Sequence, residues 1–260
     1  MNGQARNAPL REAQPLLEMR GVTKRFSGLI AVKQVDLSIS AGEVVGLLGD
    51  NGAGKSTLIK LISGVYRPDA GQILFNGAPV SFSSPLEARD LGIETIYQDL
   101  ALCENLNAYQ NIFLGRERGR RRLGLFTEVD DAFMSAEAWK ALEQLDIHIP
   151  NLRAPVRMLS GGQRQAVAIT RALYWNARLL IMDEPTAALG VPEQQKVLEL
   201  IHTLRLRHIP VILISHNLQD VFAVADRVIV MRRGDIAGER IISETSSNDL
   251  VGLMVGAHGC

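Results

Sequence analysis

The run Gly49-Asp50-Asn51-Gly52-Ala53-Gly54-Lys55-Ser56, followed by Thr57, packs glycines, a lysine and hydroxyls into one short loop. An almost unbroken apolar run over 43–48 precedes it and a helix beginning GKSTLIKLISG follows. That is the context a G-x-x-x-x-G-K-[ST] pattern needs. Glycines let the backbone wrap closely, so that successive N–H groups and the helix N-terminus face the oxygens of a polyphosphate. The Lys55 ammonium adds a point charge at the β- and γ-phosphates, and the Ser56 hydroxyl suits Mg²⁺. A second run, Leu180-Ile181-Met182-Asp183-Glu184, reads as a buried strand ending in acids. Such a strand holds its carboxylates rigidly. Asp183 would face Mg²⁺, directly or through water, and Glu184 would orient and deprotonate an attacking water.

Both runs need a scaffold of strands delivering their ends to one place. Residues 1–15 are polar and rich in Pro and Ala, and read as a disordered tail. Short β-type runs follow at 16–20 and 35–39. The segment RPDAGQILFNGAPV places turn residues around two brief strands of a small antiparallel sheet, and GIETIYQ is another buried strand. From Gln98 to about Ala177 the periodicity becomes helical, most clearly over 132–145, after an Arg/Gly-rich loop. Strands at 179–183, 211–215 and 228–231 then alternate with helices at 193–207 and 218–225, which argues for a mainly parallel sheet covered by helices. The expectation is an α/β fold in a single domain over 16–260. Its core is 16–97 and 178–260, including the antiparallel β subdomain, and 98–177 forms an inserted helical subdomain.

Composition narrows the classes of function. The 260 residues include 47% hydrophobic and 22% charged side chains, an ordinary globular profile. The 28 basic and 28 acidic residues cancel, so no global field draws the chain to nucleic acid or anionic lipid. Cys103 and Cys260 lack metal-ligand spacing, and no signal-peptide pattern is present, which fits a reducing cytoplasm. No apolar run approaches the roughly 20 residues that cross a bilayer.

Leu159-Ser160-Gly161-Gly162-Gln163, followed by Arg164-Gln165, resembles the signature of ABC-type ATPases. The resemblance covers about residues 16–250 and includes Gln98 near a strand end and His216 after VILIS. It implies a P-loop NTPase of ABC type that hydrolyses ATP with Mg²⁺. It also implies a homodimer in which each ATP lies between one phosphate loop and the partner's signature. A Ser-Gly-Gly turn opening a helix does offer N–H groups and a hydroxyl to phosphate, and a symmetric dimer would complete two sites at once. By resemblance, Ser160, Gly161 and Gly162 face the γ-phosphate in trans, and Gln163 belongs with them to the nucleotide-binding set. Gln98 contacts Mg²⁺ and the attacking water while sensing a membrane partner, and His216 contacts the γ-phosphate. Phe26 stands where this family stacks an aromatic on adenine, with a core phenylalanine as the alternative. Stacking tolerates any base, so it leaves ATP and GTP undistinguished.

The segment SFSSPLEARDLGIETIYQDLALCENLNAYQNIFLGRE, with MDEPTAALG, resembles importer ATPases for ribose, xylose, fructose and similar monosaccharides. Many of those carry two ATPase domains in one chain, whereas this chain has one, like single-domain fructose-type importers. The implied partners are two membrane permease subunits and, indirectly, a periplasmic or extracellular sugar-binding protein. The implied location is peripheral, on the cytoplasmic face of the membrane. A soluble ABC ATPase acting on nucleic acid or ribosomes is the alternative, although no nucleic-acid partner is expected from this charge balance. The basic cluster over 116–122 reads as a solvated loop. Gly190 departs from the family, which usually has aspartate there. The glycine is expected to give the loop backbone freedom at φ > 0 and to alter coupling between sites, leaving the chemistry of Glu184 intact.

Overall fold

The computed structural model describes residues 14–122 and 126–256; the expected tail falls almost wholly outside them, as does Cys260. Two long strands, β1 (Leu17–Phe26) and β2 (Leu29–Ile39), form a hairpin, and β3 (Val44–Leu48) runs through the glycine-rich loop into α1 (Lys55–Ile62). Then come β4 (Ala70–Phe75), β5 (Ala78–Val80), α2 (Pro85–Asp90) and β6 (Ile93–Ile96). The helical stretch contains α3 (Ala108–Phe113), a hairpin of β7 (Gly119–Arg122) and β8 (Phe126–Val129), α4 (Asp131–Gln144) and α5 (Gly161–Tyr174). The remainder alternates β9 (Leu179–Asp183), α6 (Val191–Leu206), β10 (Val211–Ile214), α7 (Leu218–Val224) and β11 (Arg227–Arg232). It ends with β12 (Asp235–Ile241) and α8 (Ser247–Val255).

A six-stranded sheet in the order β12-β11-β3-β10-β9-β6 is parallel except for its edge strand β12. The second sheet, β2-β1-β4-β5, is antiparallel. The central strands are apolar at nearly every position because both of their faces are covered. Val45 and Leu47, Leu179 and Ile181, Ile212 and Ile214, and Ile229 and Met231 face one core, shared with α1 and the antiparallel sheet. Their neighbours Val44 and Leu48, Leu180 and Met182, Val211 and Leu213, and Val228 and Val230 face the other, beneath α5 to α8. This is the period-two alternation of a strand, with both sides buried.

Helices α3 and α4 close a third, smaller core with Val167 of α5, whose opposite face carries Ala166, Ile169 and Ala172 into the sheet core. One helix thus belongs to both packings. The loop between β6 and α3 is fastened from within by Asn111, fully buried in α3. Its Oδ1 accepts from the Cys103 amide at 2.7 Å, and its Nδ2 points at the carbonyls of Cys103, Leu106 and Asn107 at 3.0–3.3 Å.

The structure differs from the sequence reading at β7, β12, α2 and α8. The basic stretch over 116–122, expected as a loop, is partly strand β7, paired with β8. Strand β12 was not foreseen because an edge strand has no buried face to impose alternation, and its exposed positions carry Asp235, Glu239 and Arg240. Helices α2 and α8 were also missed. The first has only six residues, begins at a proline and buries Ala88 alone; the second buries only Leu250 and Leu253.

Replacing Asn111 with alanine strands buried backbone groups around 103–107 and is expected to cost about 1–3 kcal/mol for each group left unsatisfied. Urea unfolding checks this, and a loss below about 0.5 kcal/mol, the scale of a neutral surface change, would contradict it.

Candidate functional site

The glycine-rich loop is shaped by close approach. Gly49 turns the chain off β3 at φ +146, and a Cβ there would collide with the Met231 carbonyl of β11. Gly54, which caps α1 at φ +108, would press a Cβ against the Ala31 carbonyl at 2.5 Å. Glycine is the residue that satisfies both constraints. Asp50, Asn51 and Gly52 form the exposed crest. Ala53 is buried beneath it, its carbonyl accepting from the Gly234 amide at 2.8 Å.

Lys55 folds back across this loop, donating from Nζ to the carbonyls of Gly49 at 2.5 Å and Asp50 at 3.1 Å. Burial draws its pKa down, while the charges of Glu184, Asp50 and Asp183 push it back up. Asp183 is held above the usual carboxylate range, first by burial and then by the Glu184 charge, with Lys55 opposing. One ammonium therefore lies within reach of both acids. Ser56 is exposed and Thr57 half-buried on the first turn of α1.

Sheet register sets the level of the remaining groups. Ile96 of β6 pairs with Met182, and Ile214 of β10 pairs with Asp183. Two residues further along each of the parallel strands β6 and β9, Gln98 and Glu184 meet in a cavity of about 240 Å³ that Gly161, Gln165 and Leu189 also line. Glu184 sits at φ +53, donates its amide to the Ile214 carbonyl at 2.9 Å and pairs with His216 Nδ1. The His216 side chain is 76% exposed and that of Glu184 25%, so the imidazole is the freer partner to meet an incoming phosphate.

The signature turn opens α5. Ser160 is its N-cap, with Oγ accepting from the Gln163 amide at 3.3 Å and the Gln163 side chain accepting from the Ser160 amide at 3.0 Å. Gln163 thus shapes the turn. The exposed end of that helix carries the free N–H groups expected at a helix start. No residue of the phosphate loop lines the cavity that Gly161 shares with Glu184. Phe26 lies at the tip of the β1–β2 hairpin, 37% exposed and edge-on to Tyr66 at 5.1 Å, outside the core.

Gly190 requires a correction. It is the N-cap of α6 at φ −69 and ψ 161, so the left-handed freedom expected of it is not used. A Cβ there would press on the carboxylate end of the Glu193 side chain at 2.9 Å and otherwise make ordinary contact with Pro192 Cδ at 3.8 Å. Aspartate is a good N-cap, so the backbone accepts either residue.

Two residues of the neighbourhood went unread in the sequence. Arg171 of α5 donates to the carbonyls of Ala101 at 3.0 Å and Leu100 at 3.2 Å, tying the signature helix to the loop after Gln98. Asp220 of α7 accepts from Thr186 and Asn217. Neither belongs to a motif with a readable spacing.

The ABC transporter family profile matches residues 32–187, a span from β2 to just past Glu184. The chain belongs to the ABC transporter family. It is an ABC-type ATPase, and ATP is its substrate. Among its relatives is a xylose/arabinose import ATP-binding protein of Sulfolobus acidocaldarius, 49% identical, with the match covering 92% of this chain and 93% of the relative. A fructose import ATP-binding protein of Rhizobium meliloti is 45% identical over 94% of this chain and 95% of its own length. A ribose import ATP-binding protein of Rubrobacter xylanophilus is 47% identical, but this chain spans only 47% of it. Among solved structures, an ATP-binding cassette of an ABC transporter in its ADP conformation aligns with TM-score 0.79 at 28% identity, covering 93% of this chain and 99% of that one. A dimeric cassette in a post-hydrolysis state, bound to ADP and Pi, aligns with TM-score 0.71 at 25% identity over 87% and 98%. No helix among the described residues is long and apolar enough to cross a membrane.

Two outcomes follow from the charges and the loop. Because the Asp183 pKa is raised, ionising this carboxyl destabilises the folded state. Stability is lost as pH rises from the ordinary carboxylate pKa through the raised one, and stays lower above it. Asp183→Asn removes that penalty. The nucleotide-free variant should melt above the parent at neutral pH, with the gap closing below about pH 4 in calorimetry; an equal or lower melting temperature contradicts this. Gly190→Asp should shift stability by only a few tenths of a kcal/mol and leave ATP turnover intact.

Proposed function

We propose that this chain is the ATP-hydrolysing subunit of a monosaccharide importer, peripheral on the cytoplasmic face of a membrane and docked to permease subunits. The observation that carries this reading is the near full-length match to relatives named for xylose/arabinose and for fructose import. A sugar-binding protein would feed the same permease without touching this chain. Residues 98–177 act as the arm that contacts the permease, and the rest of 16–260 acts as the nucleotide-binding core.

In this reading the N–H groups of 49–57 and the Lys55 ammonium hold the polyphosphate, and Phe26 stacks on the base. Binding phosphate would draw Lys55 off the carbonyls it now occupies. Mg²⁺ fits the donor set. Ser56, Asp183 and Gln98 offer hard oxygens, and the described residues contain no cluster of three or more acids, histidines or cysteines that could hold a metal alone. A metal bound partly through substrate phosphates and water suits such a site, and it would supply charge neutralisation at the transferred phosphoryl. Glu184 orients the attacking water and takes its proton, His216 contacts the γ-phosphate, and Gln98 bounds the water from the opposite wall. Positioning and charge supply most of the catalysis.

Each chain contributes its phosphate loop and acids as one half of a site and opens α5 elsewhere, with Ser160 exposed and Gly161 and Gly162 half-buried. A head-to-tail homodimer would supply the missing donors, and the likeness to a dimeric cassette with ADP and Pi supports that arrangement. ATP then drives closure only to the extent that it binds the closed dimer better than the open one.

Glu184→Gln is expected to retain ATP binding while turnover falls about 10²–10⁴-fold, the usual weight of a general base. In vesicles holding the permease and this subunit, sugar uptake should stop with it. Uptake indifferent to the substitution, or turnover stimulated by DNA, RNA or ribosomes without a permease, would overturn the reading.

A further inference from the structure

The loop that carries Glu184 is poorly held by its own backbone. Glu184 and Ala188 both occupy the left-handed region, at φ +53 and +58, where non-glycine residues are strained. Its internal hydrogen bonds are two turn contacts, Ala187 to the Glu184 carbonyl at 3.1 Å and Leu189 to the Thr186 carbonyl at 3.3 Å. Such a segment keeps its shape only if something outside it holds it. The Thr186 hydroxyl donates to Asp220 Oδ2 at 2.6 Å, and both side chains are buried. Asp220 Oδ1 accepts from Asn217 Nδ2 at 3.0 Å. Asn217 follows His216 directly; its Oδ1 caps α7 through the Gln219 amide at 3.0 Å, and its own amide donates to Ser215 Oγ at 3.0 Å.

We infer that Asp220 is a positioning residue for hydrolysis: its buried carboxylate clamps Thr186 and Asn217, so the segments carrying Glu184 and His216 are held in one geometry. Among the described residues no cation pairs with Asp220, and its two carboxyl oxygens are engaged by these hydrogen bonds. A buried carboxylate without an ionic partner is costly to keep. Its two donors come from the two segments whose side chains meet at Glu184 and His216. The Thr186 bond is short at 2.6 Å and the Asn217 bond of ordinary length at 3.0 Å, and the pair joins the two segments through one side chain. Asp220 touches neither reacting atoms nor nucleotide in this role; it acts through Thr186 and Asn217.

The inference rests on the roles given above to Glu184 and His216. If Glu184→Gln retains full turnover, that assignment fails, whatever Asp220 does. The test is steady-state ATPase of the full-length chain in its permease complex, with kcat and KM for ATP resolved separately. Asp220→Ala and Thr186→Val, the latter close to isosteric, should each lower kcat about tenfold, the scale of one charged hydrogen bond, with KM within about twofold of the parent. The double variant should be no worse than Asp220→Ala alone, since both changes remove one clamp. Asp220→Asn should recover most of the activity, because its amide can donate to the Thr186 hydroxyl while its carbonyl still accepts from Asn217. Should Asp220→Ala fail to fold, Thr186→Val and Asp220→Asn carry the comparison. Unchanged kcat in Thr186→Val, a KM that rises in step with the loss of kcat, or no recovery with asparagine would each overturn the inference.

Discussion

The parallel ladder β3–β10–β9–β6 fixes the height at which the candidate site's side chains stand. Its hydrogen-bond register puts Ile214 beside Asp183 and Ile96 beside Met182, so the loops leaving these strands begin at a common level. The crevice beyond the carboxyl ends of parallel strands is where open α/β sheets bind ligands. Here that edge collects the phosphate loop, the acids, His216 and Gln98. The ladder holds because side chains on both faces are buried. A one-residue slip would exchange the two cores and move Glu184 out of register with Gln98.

Charge works against this packing. The sheet delivers Asp183 and Glu184 side by side at a half-buried edge, where burial and mutual repulsion disfavour ionisation of Asp183. Lys55, the ammonium within reach of both acids, is itself partly desolvated and turned onto its own loop. The charges of Lys55, Asp183 and Glu184 are therefore poorly balanced among themselves, and the proposed occupants, a polyphosphate with its counter-ion, are of the kind that balances them. A strained, acid-rich edge is tolerated because the buried ladder and the clamp at Asp220 hold it in place.

Most of this was legible in the sequence because the motifs coincide with punctuation that physics imposes. Gly49 and Gly54 must be glycine where backbone meets backbone, and Leu179 to Met182 must be apolar where two cores meet. Gln98 and His216 could be placed only through the family resemblance, since a lone polar residue after a strand has no signature of its own. Elements with little burial, such as β7, β12 and α8, left no periodic trace. Asp220 was invisible because its partners are distant in the chain or hidden in a helix cap, and hydrogen-bonded aspartate looks like any helical aspartate. Gly190 was over-read: its identity suggested a special backbone, while its actual conformation is ordinary for a helix N-cap.

In the proposed assembly each ATP site is shared between two copies, with the phosphate loop of one facing the signature turn of the other. Complementation tests it directly. A chain carrying Lys55→Ala and a chain carrying Gly162→Asp are each expected to be inactive alone. If the site is shared, the mixed dimer holds one intact site, built from the unaltered phosphate loop of the second chain and the unaltered signature of the first. Mixing the two is expected to restore ATP turnover to a measurable fraction of the parent rate. A mixture no more active than either variant alone, with mixed dimers shown to form, would contradict it.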